Sequence, residues 1–323
     1  MRNTYIILCC CLLTGFARGQ EINFSRVEDM ALWYNQSLKT DKQDNLVLNY
    51  RSVQYGGQLA YNSVAAMFDM PLLSKEGKEK PNSGYFSLSA GAASDKSNAG
   101  ILNNTLGMMG LSYSVPISRH ETYLSAGFQA EYYQSIFNVG GVANAFGDQY
   151  NSYGPIEGAP SADQLASGWS YGHFNMNVGV SAFSNGRYDK WYLGASAMQV
   201  NQPYSYKIKS DSTRLKPDIG VQGGYKYTTK TDDEVAFYMS MSWQGPAYRH
   251  YFDFAYTKAI PGVAGGAGVG IGLGYRYSDA LIPNIELRYQ KLVIGILYDV
   301  NISSISAAGI ARNGIEMALR MDF

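Results

Sequence analysis

From residue 46 onward the chain alternates apolar and polar residues with a period of two, broken at intervals by Gly-, Pro-, Asn- and Asp-rich connections. Side chains alternate across a strand, so each such run has one apolar and one polar face. Leu124, Ala126, Phe128, Ala130 and Tyr132 oppose Tyr123, Ser125, Gln129 and Glu131. Phe174, Met176, Val178, Val180 and Ala182 oppose Asn175, Asn177 and Ser181, and Val235, Phe237, Met239, Met241 and Trp243 oppose Ala236, Tyr238, Ser240 and Ser242. A slip of one residue would invert each face, so the pattern specifies its own register. Fourteen strands are expected: 46–54, 61–70, 84–92, 105–115, 121–133, 173–183, 190–200, 217–228, 234–243, 247–257, 267–278, 283–290, 291–300 and 313–323. Most reach the ~9–11 residues that a tilted strand needs to cross a bilayer.

The last strand is the clearest. Ile315, Met317, Leu319, Met321 and Phe323 share an apolar face, against Gly314, Glu316, Ala318, Arg320 and Asp322. An alternating final strand closing on Phe resembles the assembly signal of outer-membrane barrels, with its apolar face toward lipid and its polar face toward the lumen.

Connection lengths sort by end. Numbering strands from the end where the first begins, the connections 116–120, 184–189, 229–233 and 258–266 fall on one side and are short. The connections 134–172, 201–216 and 301–312 fall on the other and are long. Short periplasmic turns and long outer loops with an even strand number are the outer-membrane pattern. Connection 71–83, long and charged, breaks the rule.

Residues 1–19 read as a secretory signal peptide. Arg2 supplies the positive region, Tyr5–Leu13 the short apolar stretch, and Ala17-Arg18-Gly19 a cleavage site. The apolar stretch is too short to span a bilayer. Residues 20–45 show no strand alternation; a short helix is expected over Val27–Leu38, in the periplasm or inside the lumen. The expected organisation is signal peptide 1–19, N-terminal segment 20–45 and barrel 46–323.

All three cysteines lie in the signal peptide, so the mature chain would have neither disulfide nor thiolate metal site. Lys and Arg number 26, as do Asp and Glu; removal of Arg2 and Arg18 leaves 24 against 26, a balance of −2. No basic patch points to nucleic acid. With 35 glycines, 27 tyrosines and 16% charged residues, the composition suits an aromatic-girdled barrel whose lipid face takes only every second residue.

Ala259–Tyr275 carries no charge, but its seven glycines and Pro261 make a poor helix. Gly268, Gly270, Gly272 and Gly274 alternate with Val269, Ile271, Leu273 and Tyr275, the mark of a strand with a glycine inner face that makes room for something inside the barrel. His120, His173 and His250 are scattered, with no metal-ligand spacing. Asp148, Asp163, Asp211 and Asp299 stand singly near loops or strand ends, and Asp232-Asp233-Glu234 reads as a solvated turn. No nucleophile–base set stands out, so neither a catalytic site, a metal nor a cofactor is expected. The longest connection carries Phe137, Phe146, Tyr150, Tyr153 and Trp169. Long irregular loops are uncommon unless they function. These aromatics are candidates either for partner contact or for a plug folded into the lumen.

The ordered landmarks resemble the PorP/SprF family of outer-membrane proteins of the type IX secretion system in Bacteroidetes. They are Asn23-Phe24-Ser25, Asn49-Tyr50-Arg51, Phe68-Asp69-Met70-Pro71, Phe146-Gly147-Asp148-Gln149-Tyr150, Asn201-Gln202-Pro203, Gly274-Tyr275-Arg276-Tyr277, Tyr298–Ser304 and Gly314–Leu319. Where the family has N-P-A-x-x-G, this chain has Asn35-Gln36-Ser37-Leu38-Lys39-Thr40, and the Trp that often follows Y-R-x-Q is absent. The resemblance implies a non-enzymatic barrel in the cell outer membrane that assists secretion or surface anchoring of an adhesin-like cargo with a C-terminal sorting domain. Periplasmic secretion-system components would be further partners, and gliding motility a context. The residues themselves leave a passive porin or hydrophobic-solute transporter open as the alternative.

Overall fold

The computed structural model describes residues 24–39, 43–56, 58–72, 84–97, 100–118, 122–138, 146–156, 158–163, 168–186, 188–207, 209–303 and 312–323. The signal-peptide reading, the cysteines, His120 and most of the charged 71–83 connection lie outside them.

Fourteen antiparallel strands close into one barrel. They are β1 (Asn45–Tyr55), β2 (Gln58–Leu72), β3 (Tyr85–Ser97), β4 (Leu102–Pro116), β5 (Thr122–Phe137), β8 (Trp169–Asn185), β9 (Asp189–Met198), β10 (Asp218–Thr228), β11 (Glu234–Gln244), β12 (Ala247–Ala259), β13 (Ala267–Arg276), β14 (Ala280–Tyr289), β15 (Leu292–Asn301) and β16 (Arg312–Asp322). Each barrel strand pairs with its neighbours along the chain, and β16 closes the ring on β1 from Asn45↔Asp322 to Tyr55↔Arg312. Closure leaves the ring without an edge strand. Among the described residues no helix is long and apolar enough to cross a membrane.

The faces follow the sequence pattern. In β16, Gly314, Glu316 and Ala318 are buried inside, while Ile315, Met317, Met321 and the following Phe323 are exposed outside. In β5 and β8, Ser125, Gln129, Glu131, Asn175, Asn177 and Ser181 are buried, and Leu124, Phe128, Phe174 and Val180 are exposed. An outside that is apolar and an inside that is polar is stable only with lipid, not water, around the barrel. Aromatic residues gather on the outer surface toward both rims: Phe86, Tyr113, Tyr256 and Tyr289 toward one, Trp243, Tyr248 and Tyr277 toward the other. Interfacial girdles of this kind place amphipathic rings at the headgroup level.

Strand boundaries move by a few residues from expectation. The strand expected from Pro283 begins at Ala280, and Pro283 lies within it. Proline has no N–H for the ladder. The β14–β15 register accordingly passes from Leu281↔Val300 directly to Asn284↔Leu297, while on the other flank Pro283 stays opposite Leu273.

One rim carries the start of β1 and the end of β16 and is here called the terminal rim; the opposite is the loop rim. Residues 186–188 and 229–233 connect strands at the terminal rim, and residues 138–168 and 199–217 at the loop rim. The sorting of connections is as expected. Within the longest loop, β6 (Tyr150–Asn151) and β7 (Gly154–Pro155) form a small hairpin that alternation could not reveal.

Candidate functional site: a lumen closed by the N-terminal segment

Residues 24–39 lie inside the barrel. Of the two placements expected for this segment, the luminal one is observed. Phe24, Met30, Leu32 and Trp33 pack with Val47, Ala65, Met67, Leu106 and Met108 of the wall. Ala31 and Leu38 join Tyr85, Tyr123, Phe183 and Tyr192. Val27 joins Tyr251, Ile282 and Leu297. The inner wall thus carries apolar patches on positions that a solvated lumen would leave polar, and the plug covers them. Full burial of one such side chain is worth about 1.5–3 kcal/mol.

The helix expected over Val27–Leu38 is a single turn, α1 (Ala31–Tyr34). Asn35 explains the stop. Its backbone is extended, and its side-chain oxygen accepts hydrogen bonds from the Ser37 N–H (3.0 Å) and hydroxyl (2.8 Å). A side chain that bonds the backbone two residues on offers an alternative to the next helical turn. The Asn35 amide also donates to Gln222 of β10 (3.0 Å), which a continued helix would redirect.

Polar contacts fix the plug in rotation. The Ser25 N–H donates to both oxygens of the buried Glu316 carboxylate (2.9 Å each), and the Arg26 N–H donates to one of them (3.3 Å). Asn49 of β1 donates to the same carboxylate (2.9 Å). The Arg26 guanidinium meets Asp29 (2.7 Å), Glu28 (3.0 Å) and Glu286 of β14 (2.7 Å). Arg276 of β13 donates to the Ser25 hydroxyl (2.7 Å) and pairs with Asp299 and Asp279 (2.9 Å each). Lys39 pairs with Asp69 of β2. On the far wall, Gln36 donates to Ser89 (2.7 Å), and Ser181 donates to the Ser37 carbonyl (2.7 Å). Asp299 is therefore a buried partner of Arg51 and Arg276 rather than a lone strand-end carboxylate. Glu234 likewise leaves its turn to pair with Arg288 and Lys226 in the lumen. Burial pushes the Glu28 carboxyl up to about 8, against the pull of Arg26.

Glycines let the plug approach. A Cβ on Gly127 of β5 would stand 2.8 Å from the Gln36 carbonyl group and 2.9 Å from the Ser37 nitrogen. Cβ atoms on Gly110, Gly179 and Gly194 would strike the side chains of Gln36 and Asn35, and one on Gly295 would strike Arg26. The glycine stripe of β13 does something else. Gly268, Gly270, Gly272 and Gly274 face inward, but the space they leave is taken by Thr257, Asn284 and Tyr251 of adjacent strands.

The structure separates the residues singled out in the sequence into three places. Ile315, Met317, Leu319, Met321 and Phe323 lie along the outer face of the closing strand. Phe137 and Trp169 stack at the loop rim (centroids 6.0 Å apart), and Trp169 also meets Tyr206 edge-on (5.4 Å). Tyr150 and Tyr153 belong to the loop hairpin, Tyr153 being 98% exposed; Phe146 immediately precedes its 3-10 turn. The Asp148 carboxylate closes this loop by accepting from the Ser161 hydroxyl and the Ala162 amide, which hold it below the usual carboxylate range. The plug residues Asn35, Gln36, Ser37 and Lys39, where the chain departs from N-P-A-x-x-G, were not singled out as a site. Their signal was that departure together with unplaced small residues on the inner faces of β4, β5, β8 and β9.

Among the described residues no group of three His, Cys, Asp or Glu side chains could hold a metal ion. His173 sits against Tyr133 and Tyr171, and His250 against Trp243, Tyr248 and Tyr277.

A closed strand ring with a lipid-facing apolar surface and a filled lumen defines an outer-membrane-type β-barrel. The chain belongs to the PorP/SprF family, described as type IX secretion system membrane proteins, whose profile matches residues 38–314. No curated protein matches the sequence. Among solved structures the barrel is similar to the CymD monoaromatic hydrocarbon channel (9% identity, 94% of this chain and 95% of that chain covered, TM-score 0.51). It is also similar to a Pseudomonas aeruginosa FadL homologue (9% identity, 88% and 90% covered, TM-score 0.49). At these identities the likeness concerns the fold alone.

Proposed function

We propose that this chain is a non-enzymatic outer-membrane barrel of the type IX secretion system that receives or anchors one secreted partner at the cell surface. The terminal rim faces the periplasm and the loop rim the exterior. The observation that carries this reading is the plug. A lumen occupied by residues 24–39, held by Glu316, Glu286 and Asp69, leaves the long loops at one rim as the accessible working surface. The partner is an adhesin-like cargo with a C-terminal sorting domain, and gliding motility is one setting for it. Phe137, Trp169 and the exposed Tyr150 and Tyr153 supply the contact, since aromatic side chains are the usual anchors of protein interfaces.

Replacing residues 139–167 by a tight turn, together with Phe137→Ala and Trp169→Ala, is expected to leave the barrel inserted and non-conducting while releasing the partner into the medium. A shortened protein that still holds its partner at the surface would overturn the loop assignment. The alternative of a passive porin or solute transporter is tested by planar-bilayer conductance of the unmodified protein, which should be silent.

The outer face of β16, ending at Phe323, is the assembly signal in this reading. Phe323→Asp sets a charge near the lipid boundary and is expected to abolish the heat-modifiable folded form in outer-membrane fractions; undiminished levels would sink it.

A further inference from the structure

Between the plug and the wall formed by β9–β12 and β14 lies a cavity of about 220 Å³ that reaches the terminal rim. Its residues fall into two layers by strand register. Near the rim are Lys190, Lys226 and Arg288. Deeper, against the plug, are Tyr192, Tyr238, Asp253 and Glu28.

The layers differ in their polar groups. In the deep layer, the carboxyl groups of Glu28, Asp29, Asp253 and Glu286 stand against Arg26, with Arg320 reaching Asp29 at 3.8 Å, so acceptor groups are in excess. In the rim layer, Glu234 serves both Lys226 and Arg288, and Lys190 has no carboxylate partner among the described residues. The deep layer also holds two acceptor-capable atoms with no partner among the described residues. The Tyr192 hydroxyl is buried and unbonded, on a residue only 6% exposed. The second oxygen of Glu28 is buried and unbonded as well. An unsatisfied buried polar atom costs about 1–3 kcal/mol unless something fills its bond.

We propose that this cavity binds a small zwitterion of the dipeptide or ω-amino-acid class, its ammonium on Glu28 and the Tyr192 hydroxyl and its carboxylate on Lys190. Tyr192 and Lys190 are two residues apart on one strand, a span of about 7 Å at the strand rise of ~3.3 Å per residue. An extended dipeptide has the same reach. The Tyr192 and Tyr238 rings, stacked at 6.4 Å, wall the deep end with aromatic surface, which favours a cation. The volume lies below the ~300–1,000 Å³ of drug-sized sites, so the ligand is small. The inference does not depend on the secretion role.

The test uses the full-length barrel in detergent, titrated calorimetrically with glycylglycine, glycylglycinamide and N-acetylglycylglycine. Saturable one-to-one binding of glycylglycine is expected, with each capped analogue weaker by about tenfold, the equivalent of one lost contact. Tyr192→Phe should weaken glycylglycine similarly. Lys190→Gln, near the rim, should erase the difference between glycylglycine and its amide. Heat-modifiable mobility confirms that each variant is folded; if Tyr192→Phe is not, the capped analogues on the unaltered protein still decide. No binding of glycylglycine, or equal binding of either capped analogue, overturns the proposal. Equal binding of the amide alone would make this a plain cation site, and of the acetylated peptide alone a plain anion site.

Discussion

The two sides of the barrel hold the plug by different physics. Strands β13, β14 and β16 grip Ser25–Asp29 through charge: Glu316 takes three backbone or amide donors besides facing Arg51, and Glu286 and Arg276 reach in from neighbouring strands. Strands β4, β5, β8 and β9 grip Asn35–Ser37 through close approach, with glycines where a Cβ would collide. Charge tolerates a few tenths of an ångström of misfit but depends on protonation. Steric fit is indifferent to protonation and does not tolerate one added methyl. One end of the plug should therefore answer to pH and the other to volume.

The largest effect on closure of the lumen is expected on the glycine side. Gly127→Val puts a branched side chain against plug backbone, which has no rotamer to escape into, and such overpacking costs roughly 1–3 kcal/mol or more. The 35–39 segment should become protease-sensitive and the barrel should conduct ions. Gly110→Ala meets only the Gln36 and Ser89 side chains, which can swing aside, so it should cost clearly less. Equal effects of the two would break the distinction between backbone and side-chain contact.

Next comes Glu316→Ala on the charged side. It strands the Ser25 and Arg26 amides and the Asn49 amide, and removing one member of a buried charged network typically costs about 3–5 kcal/mol. Part of this is relieved if water enters, so loosening of residues 24–29 rather than unfolding is expected, read as faster hydrogen exchange there with 35–39 still protected. Loss of protection along the whole plug would show that the two grips are one cooperative unit.

The smallest effect on closure is titration. The Glu28 carboxyl is raised from its ordinary 4.5 to about 8 in the folded protein. A raised acid binds its proton more tightly when folded, so its contribution is fully present below the ordinary value and is lost as pH rises through about 8. Proteolysis at the Ser25–Asp29 end should accelerate across that window, while the glycine side stays unchanged. A uniform response would argue against the division.

The sequence by itself determined the wall of this protein. Period-two alternation, self-specifying in register, placed all fourteen strands, assigned Ile315, Met317 and Phe323 to lipid and Glu316 to the lumen, and sorted the loops between rims. Those features are local: each depends on the order of a few residues along one strand. What fills the lumen was decided only by tertiary structure. Asn35 meets Gln222 across 187 positions of sequence and Ser25 meets Glu316 across 291, and no period along the chain encodes such pairs. The same limit explains the glycine stripe of β13, which looked like room for a plug and proved to be room for Tyr251 and Asn284, while the glycines that do face the plug are scattered singly over other strands. An inward glycine records that something comes close; only the closed barrel fixes which side chain or segment it is.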